Sequence, residues 1–528
     1  MRLTLFFDED SPVPIYRQLA EHIEELVTSG QLRPGTRLPS SRELAESAGV
    51  SRCTASKVYE LLEFRRYIET LPAVGTFVCR EIPGRESFAP AERKSVSDPA
   101  CLSMDLSRYG QRILSSESIE PADIELFPEL NYCAPPAEHL PLTKWHEILI
   151  QAARKRDLLQ HSYRPDPLGN ERLRRALADY VLRTRGIRCT YEQIALFSGA
   201  QAALDLLARL LLNDGDAAAV EDPGFPGIRR TLASHGVRAY PVSVDRDGLV
   251  LDHLAGLTQE VKLVYVTPSH HDPTGVVLSN DRRRQLLRWA ESRPALIVED
   301  DFDNDFRYAE RPLPPLYAMA GSASVIYLSS FWKVMFPVVQ LGFVVLPPAL
   351  VPAVARAKSL IERDFHFLEH EALARFIDEG HLERHVRRTR GLYSRRRLEL
   401  IAQLNKHLGS LLRISPVSAG THLLVHTNVA IPDEELLLHA RRAGLAMVST
   451  RPYYATNPMA GEFLIPFAHI DEASLSAGVE RLAALVKTQG QPALPAPAGL
   501  LAIQPTSPAL SPQHPASEAG CPTQAGLP

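Results

Sequence analysis

Lys333 stands just past an apolar run, Val325-Ile326-Tyr327-Leu328, where a strand would hand over to a loop. A lysine amine placed there could condense with an aldehyde. Asp300 closes a second apolar run, Ala295-Leu296-Ile297-Val298, within Glu299-Asp300-Asp301. A carboxylate in that position could keep a pyridine nitrogen protonated, as an electron sink. Ser198-Gly199-Ala200-Gln201 leads into the apolar helical pattern of Leu204, Leu206 and Leu207, where backbone N–H groups could cradle a phosphate. An amine, a carboxylate and an anion cradle are the parts of a pyridoxal phosphate pocket. Singly each signal is weak, because a lysine after a strand is far more often a surface residue. Their order along one domain gives the combination its weight.

Positioning these groups takes a sheet. Between residues 121 and 488, strand-like runs such as Val261–Ser269 and Gly342–Pro347 alternate with helical patterns such as Leu204–Leu212 and Arg282–Glu291. Several runs are apolar throughout instead of alternating, as expected where helices cover both faces of a parallel sheet. This predicts a large α/β domain whose ligand groups collect at the loop ends of the strands. A smaller α+β lobe begins near Ser415. Before it, the helical stretch from Leu360 to His407 carries Arg384, Arg387, Arg388, Arg390, Arg395, Arg396 and Arg397. Such a run most often marks a solvated or interfacial helix face.

A second unit, residues 12–80, has different chemistry. Ile15, Leu19, Ile23 and Leu26 give one apolar helical stripe. Ser40 or Ser41 caps a following helix, Gly49 allows a tight turn, and Ser51 with Thr54 opens another helix through Val58, Tyr59 and Leu62. Two short helices about a glycine-containing turn can lay the second helix in a major groove. Tyr67–Thr70 and Thr76–Val78 read as a two-stranded wing. Arg42 and Arg52 begin the two helices, within reach of phosphates or base edges, and Ser51, Thr54 and Lys57 are candidates for further DNA contacts.

The chain has 528 residues, too many for one core, and a composition of 45% hydrophobic and 23% charged residues that is globular. A formal net charge of −4 means that any DNA contact must come from a local arrangement. The six cysteines show neither metal-ligand spacing nor a disulfide rhythm. No metal site is expected, and a reducing, cytoplasmic setting is. No signal-peptide pattern opens the chain and no long uncharged apolar window suggests a membrane span. Residues 81–120 read as a linker, and the proline-rich tail 489–528 as disordered.

The 12–80 unit resembles the winged helix-turn-helix of the GntR family, through Pro14-Ile15-Tyr16-Arg17-Gln18-Leu19, Leu38-Pro39-Ser40-Ser41-Arg42-Glu43-Leu44-Ala45, Val50-Ser51-Arg52 and Gly75-Thr76-Phe77-Val78. Arg66 departs from that pattern, standing where the family usually has glycine. Residues 121–488 resemble the fold-type-I aminotransferase-like domain of MocR-type regulators. The matches include Leu126-Phe127-Pro128, Phe197-Ser198-Gly199-Ala200-Gln201, Asp222-Pro223-Gly224-Phe225-Pro226-Gly227, Thr267-Pro268-Ser269-His270, Pro273-Thr274-Gly275, Glu299–Asp303 and Gly380–His385. The resemblance implies Lys333 as the Schiff-base position, Asp300 as the pyridine-nitrogen partner and Phe225 as the ring neighbour.

Departures fall inside the pocket. Gln340 occupies a phosphate-binding arginine position, Trp332 a serine position, Phe302 a tyrosine position and Ala200 a small hydroxyl position. Leu464 stands where an arginine would grip a substrate carboxylate. A hydrogen bond to a charged group contributes roughly 1.5–3 kcal/mol, so several losses would weaken an anionic ligand by orders of magnitude. Two readings of the pocket stand together: weak cofactor binding through Lys333, Asp300 and backbone groups, or another ligand or none.

The expected function is a homodimeric regulator of transcription that binds operator DNA and senses a small molecule, with pyridoxal phosphate one candidate. An aminotransferase with an appended DNA-binding domain, and a regulator whose large domain is only a dimerisation scaffold, are the alternatives.

Overall fold

The computed structural model describes residues 7–8, 11, 13–71, 74–79, 106–115, 135–154, 166–303, 305–308, 313–320, 324–361, 366–415 and 419–489. Leu126-Phe127-Pro128, the tail from residue 490 and most of the expected linker lie outside them. The chain divides into two compact units, residues 1–105 and 106–528.

In the first unit, α1 (Ile15–Thr28), α2 (Ser41–Ala48) and α3 (Arg52–Phe64) precede the strands β1 (Ile68–Leu71) and β2 (Gly75–Val78). Ser40, not Ser41, caps α2: its Oγ accepts the Glu43 N–H, while the Glu43 carboxylate accepts from the Ser40 N–H at 2.8 Å. This reciprocal capping box satisfies donors that the first helical turn leaves over. Gly49 ends α2 at φ +67°, a left-handed conformation that glycine adopts without strain. The α1 stripe is rotated from its expected place, since Leu19, Ala20, Ile23 and Val27 are buried and Ile15 and Leu26 only half so. Leu19, Ile23, Leu44, Val58 and Leu62 are fully buried in one core. Each such side chain stabilises the fold by about 1.5–3 kcal/mol, and Leu62→Ala would cost about 2–5 kcal/mol.

The second unit begins with α4 (Arg108–Ser115), inside the stretch read as linker, whose Arg112 is 2.6 Å from Asp214. Further along come α5 (Leu142–Ala153), α6 (Ala200–Leu211), α7 (Pro226–Ser234), the short α8 (Trp332–Met335), α9 (Phe367–Asp378) and the long α10 (His381–Leu408). They surround an eight-stranded sheet of β3 (Ile194–Phe197), β4 (Ala217–Asp222), β5 (Arg238–Asp245), β6 (Gly248–Leu249), β7 (Val261–Val266), β8 (Leu296–Asp300), β9 (Val325–Ser330) and β10 (Gly342–Val345). The strand order is β3-β10-β9-β8-β7-β4-β5-β6. Along β9, Val325 and Tyr327 join the core on one face, and Ile326 and Leu328 the core on the other. Two covered faces explain why these runs are apolar throughout.

The sheet is not wholly parallel. The run Gly342–Val345 is antiparallel to both β9 and β3. Only the four-residue α8 and its loop separate β9 from β10, and a connection that short cannot make the crossover that parallel pairing needs. β3, β4, β7, β8 and β9 still share a direction, so their carboxyl ends meet at one edge. The smaller lobe is a four-stranded sheet, in the order β11-β12-β14-β13, of β11 (Leu412–Ile414), β12 (His422–Thr427), β13 (Val448–Ser449) and β14 (Glu462–Pro466).

The arginine run of α10 is not one solvated face. Arg396 is buried and donates to the Ala468 carbonyl, Arg390 donates to the Asp305 carbonyl at 2.8 Å, and Arg388 donates to that of His139 at 2.6 Å. These guanidinium groups tie the helix to backbone around it.

Candidate functional site

Three consecutive acids at the end of β8 do three different jobs. Glu299 accepts the Leu316 and Tyr317 N–H groups at 2.8 and 2.9 Å. Asp301 is paired with Arg185 at 2.6 Å and accepts from the Tyr327 hydroxyl at 2.6 Å. Asp300 between them accepts from the Tyr265 hydroxyl at 2.6 Å through Oδ2, while its buried Oδ1 has no hydrogen-bond partner among the described residues. Burial, first of all, raises the Asp300 pKa to about 7, against the Tyr265 hydrogen bond. Tyr265 also faces Phe225, with ring centroids 6.5 Å apart.

Lys333 lies in α8, past the carboxyl end of β9, and is buried. Its Nζ donates to Thr421 Oγ1 at 3.4 Å and stands 5.8 Å from the centre of the Phe302 ring. Asp272 is close enough for the lysine charge to act on its carboxyl, which burial nevertheless raises to about 6. His422 is kept neutral, first by burial and then by the Lys333 charge, at a pKa of about 3.

At the same edge, Gly199 caps α6 with no side-chain hydrogen bond to the helix end. Gly342 pairs with Phe197 on one side and Ser330 on the other, which brings the cradle and the lysine loop to either side of one strand start. A Cβ on Gly342 would come within 2.6 Å of the Gly199 carbonyl carbon, so only glycine permits this approach. Gln201 is turned aside to hydrogen-bond Thr231. The four residues Ser198-Gly199-Ala200-Gln201 therefore offer chiefly backbone to an anion.

These residues fit pyridoxal phosphate. The open Asp300 oxygen suits a pyridinium N–H, the buried lysine an aldehyde, and the first turn of α6 a phosphate. The departures are also in place. Gln340 is exposed and neutral, Trp332 is 37% exposed with its ring 3.7 Å from that of Phe336, and Ala200 opens α6. Leu464 is fully buried. Its neighbours Phe463 and Ile465 join the core, so Leu464 lies on the opposite face of the small sheet with Leu424 and His422. His422 on that face reaches the Pro273 carbonyl at 3.3 Å, and the face is turned toward the lysine edge.

Asp272, Tyr265 and Thr421 were missed from sequence. Asp272 adjoins the Pro273-Thr274-Gly275 motif and could have been found from it. Thr421 lies 88 positions from Lys333 and has no local signal.

In the first unit Arg42, Ser51, Arg52 and Lys57 are exposed and Thr54 is half-buried. Ser51 caps α3, accepting the Thr54 N–H at 3.1 Å, and its hydroxyl lies 2.9 Å from that of Thr54. The two hydroxyls thus serve the helix start first. Arg66 takes φ +61°, the left-handed conformation that suits glycine.

Comparison with known proteins agrees with both halves. Residues 15–78 match the family model "Bacterial regulatory proteins, gntR family", and residues 131–482 match "Aminotransferase class I and II". The chain is 34% identical over 497 residues to the probable rhizopine catabolism regulatory protein MocR of Rhizobium meliloti, covering 93% of this chain and 98% of that one. It is 30% identical over 478 residues to the pyridoxine biosynthesis transcriptional regulator PdxR of Corynebacterium glutamicum, covering 90% and 96%. Pyrococcus horikoshii kynurenine aminotransferase superposes with a TM-score of 0.65 at 25% identity, over 72% of this chain and 96% of its own.

Fold and site together define a DNA-binding regulator of transcription built from a winged helix-turn-helix and a fold-type-I aminotransferase-like domain. The chain belongs to the MocR-type regulators of the GntR family. The fold of its large domain is that of enzymes that use pyridoxal phosphate. Among the described residues no helix is long and apolar enough to cross a membrane.

Proposed function

We propose that this regulator holds pyridoxal phosphate at Lys333 as a signal, without amino-acid turnover, and acts as a cytoplasmic homodimer on a repeated operator. The buried Asp300 Oδ1, an acceptor with no donor among the described residues, together with the buried Lys333, carries the cofactor part. When bound, pyridoxal phosphate supplies an aldehyde that condenses with a primary amine. Lys333 presents that amine, Asp300 orients the ring through its nitrogen, Phe225 flanks it and the α6 N-terminus holds the phosphate. Gln340 brings no charge to the phosphate, so affinity is modest. Leu464 puts an uncharged, fully buried side chain where a substrate carboxylate would need a cation, which speaks against transamination. The pyridoxine connection in the name of PdxR supports the cofactor class.

In the DNA-reading unit, α3 enters the major groove with Arg52 and Lys57 exposed, and Arg42 approaches the backbone. A homodimer would present two such units, matching a two-fold site.

Titration of the purified protein with pyridoxal phosphate, followed by absorbance, tests the cofactor part. The wild type should develop the band of a lysine-bound cofactor, Asp300→Asn should need at least about tenfold more cofactor, the loss of one charge-assisted hydrogen bond, and Lys333→Ala should show none. Identical spectra for wild type and Lys333→Ala would remove Lys333 from the site.

A further inference from the structure

A basic stripe at the start of α10 lies outside the DNA-reading unit and outside the residues named above for the cofactor. His381, Arg384, His385 and Arg388 recur at three- and four-residue spacing and share one helix face. With Pro141 and Lys144 of the α5 start and Phe376 of α9, that face lines a cleft of about 190 Å³.

The titratable groups lining the cleft are all basic. Lys144 is balanced by Glu147 at 2.5 Å. The arginines are not balanced. Arg384 donates to the backbone carbonyls of Gly380 at 3.0 Å and Glu379 at 2.7 Å, and Arg388 donates to the carbonyl of His139. Neutral carbonyls fix the guanidinium groups without cancelling their charge. The nearby Glu379 side chain is taken by Arg375 and His381, and Glu383 by Arg183. Among the described residues, neither Arg384 nor Arg388 is ion-paired with a carboxylate.

Two held, uncompensated guanidinium groups one helical turn apart match the planar, multi-oxygen face of a phosphate. The cleft is far roomier than a single water needs, and the half-buried Pro141 supplies an apolar wall with the fully buried Phe376 behind it. We propose that this cleft is a second ligand site, for a small phosphomonoester, with its phosphate on Arg384 and Arg388 and its organic part against Pro141. The site adjoins the lysine helix: the buried His385 donates from Nε2 to the Val334 carbonyl at 3.0 Å, one residue past Lys333. A bound anion would thus place its charge beside the imidazole that anchors α8.

Calorimetric titration of the full chain with glycerol 1-phosphate, at constant ionic strength and with glycerol as control, tests the site. The phosphate compound should bind saturably and glycerol should not. Arg388→Gln and Arg384→Gln should each weaken binding about tenfold or more, the loss of one charge-assisted hydrogen bond. Lys144→Glu touches no backbone carbonyl and should weaken it as well, so the outcome does not depend on how well the arginine variants fold. Lys333→Ala should bind like the wild type, which keeps this site separate from the cofactor reading. Unchanged affinity in the three cleft variants, equal binding of glycerol, or loss of binding in Lys333→Ala would overturn the proposal.

Discussion

Burial sets the behaviour of the acids around Lys333. It raises Glu221 to about 8, and Asp300 and Glu299 to about 7, so each binds its proton more tightly in the folded chain than in the unfolded one. Stability from such groups falls as pH rises between the ordinary carboxylate value and the folded one. His271 and His422, pushed down to about 3 by burial, act in the opposite direction but only below 6.5, their ordinary value. Between pH 6.5 and 8 the effect of these two, and of His139, His385, His426 and His469, which burial also lowers, fades out, while the acids go on acting up to about 8. The cofactor-free protein should therefore melt at a lower temperature at pH 8 than at pH 6.5, and Glu221→Gln should flatten that decline. A melting temperature that rises over this interval would contradict the assignment. Arg66 offers a test in the other unit. At φ +61° it bears a left-handed strain that glycine lacks, so Arg66→Gly should raise the protection of α3 and wing amides from hydrogen exchange by about 1 kcal/mol. Lys333, Asp300 and the glycine cradle were legible in sequence because each ends an apolar run. Asp272 and Thr421 join them only through the folded sheet edge and the small lobe.

Elements explain why those residues meet. The cap at Ser40 or Ser41, the tight turn at Gly49 and the two wing strands were written locally: Ser40 proves to be the cap, Gly49 turns left-handed, and the strands run Ile68–Leu71 and Gly75–Val78, within a residue of where the residues put them. Apolar runs identified β7, β8, β9 and β10 but not their directions, since direction depends on the length of the connection. The α10 arginines show the same limit. A charge run looks like a solvated face until its carbonyl partners, 72 to 249 positions away for Arg396 and Arg388, are brought beside it. The placement of α3 in a groove is tested at this scale. Arg52→Ala should weaken operator binding, by about 1–3 kcal/mol if it reads a base edge, or with a salt slope reduced by about 1 if it holds a phosphate. Unchanged affinity and slope would show that another surface faces the duplex.

At the scale of the whole molecule, two units with separate cores serve separate chemistry. A single net charge of −4 hides the division, because the exposed basic groups of α2 and α3 belong to one unit and the buried acids near Lys333 to the other. The regulator reading requires that what happens at Lys333 changes what the winged helices do on DNA, a coupling between two sites. The most direct measurement is protection of the gene's own upstream region from nuclease, with and without pyridoxal phosphate, for the wild type and for Lys333→Ala. The account predicts protected half-sites related by a repeat, a footprint that changes with the cofactor in the wild type, and no such change in Lys333→Ala. No preference for that region over random duplex, or a cofactor response identical in the two proteins, would contradict it.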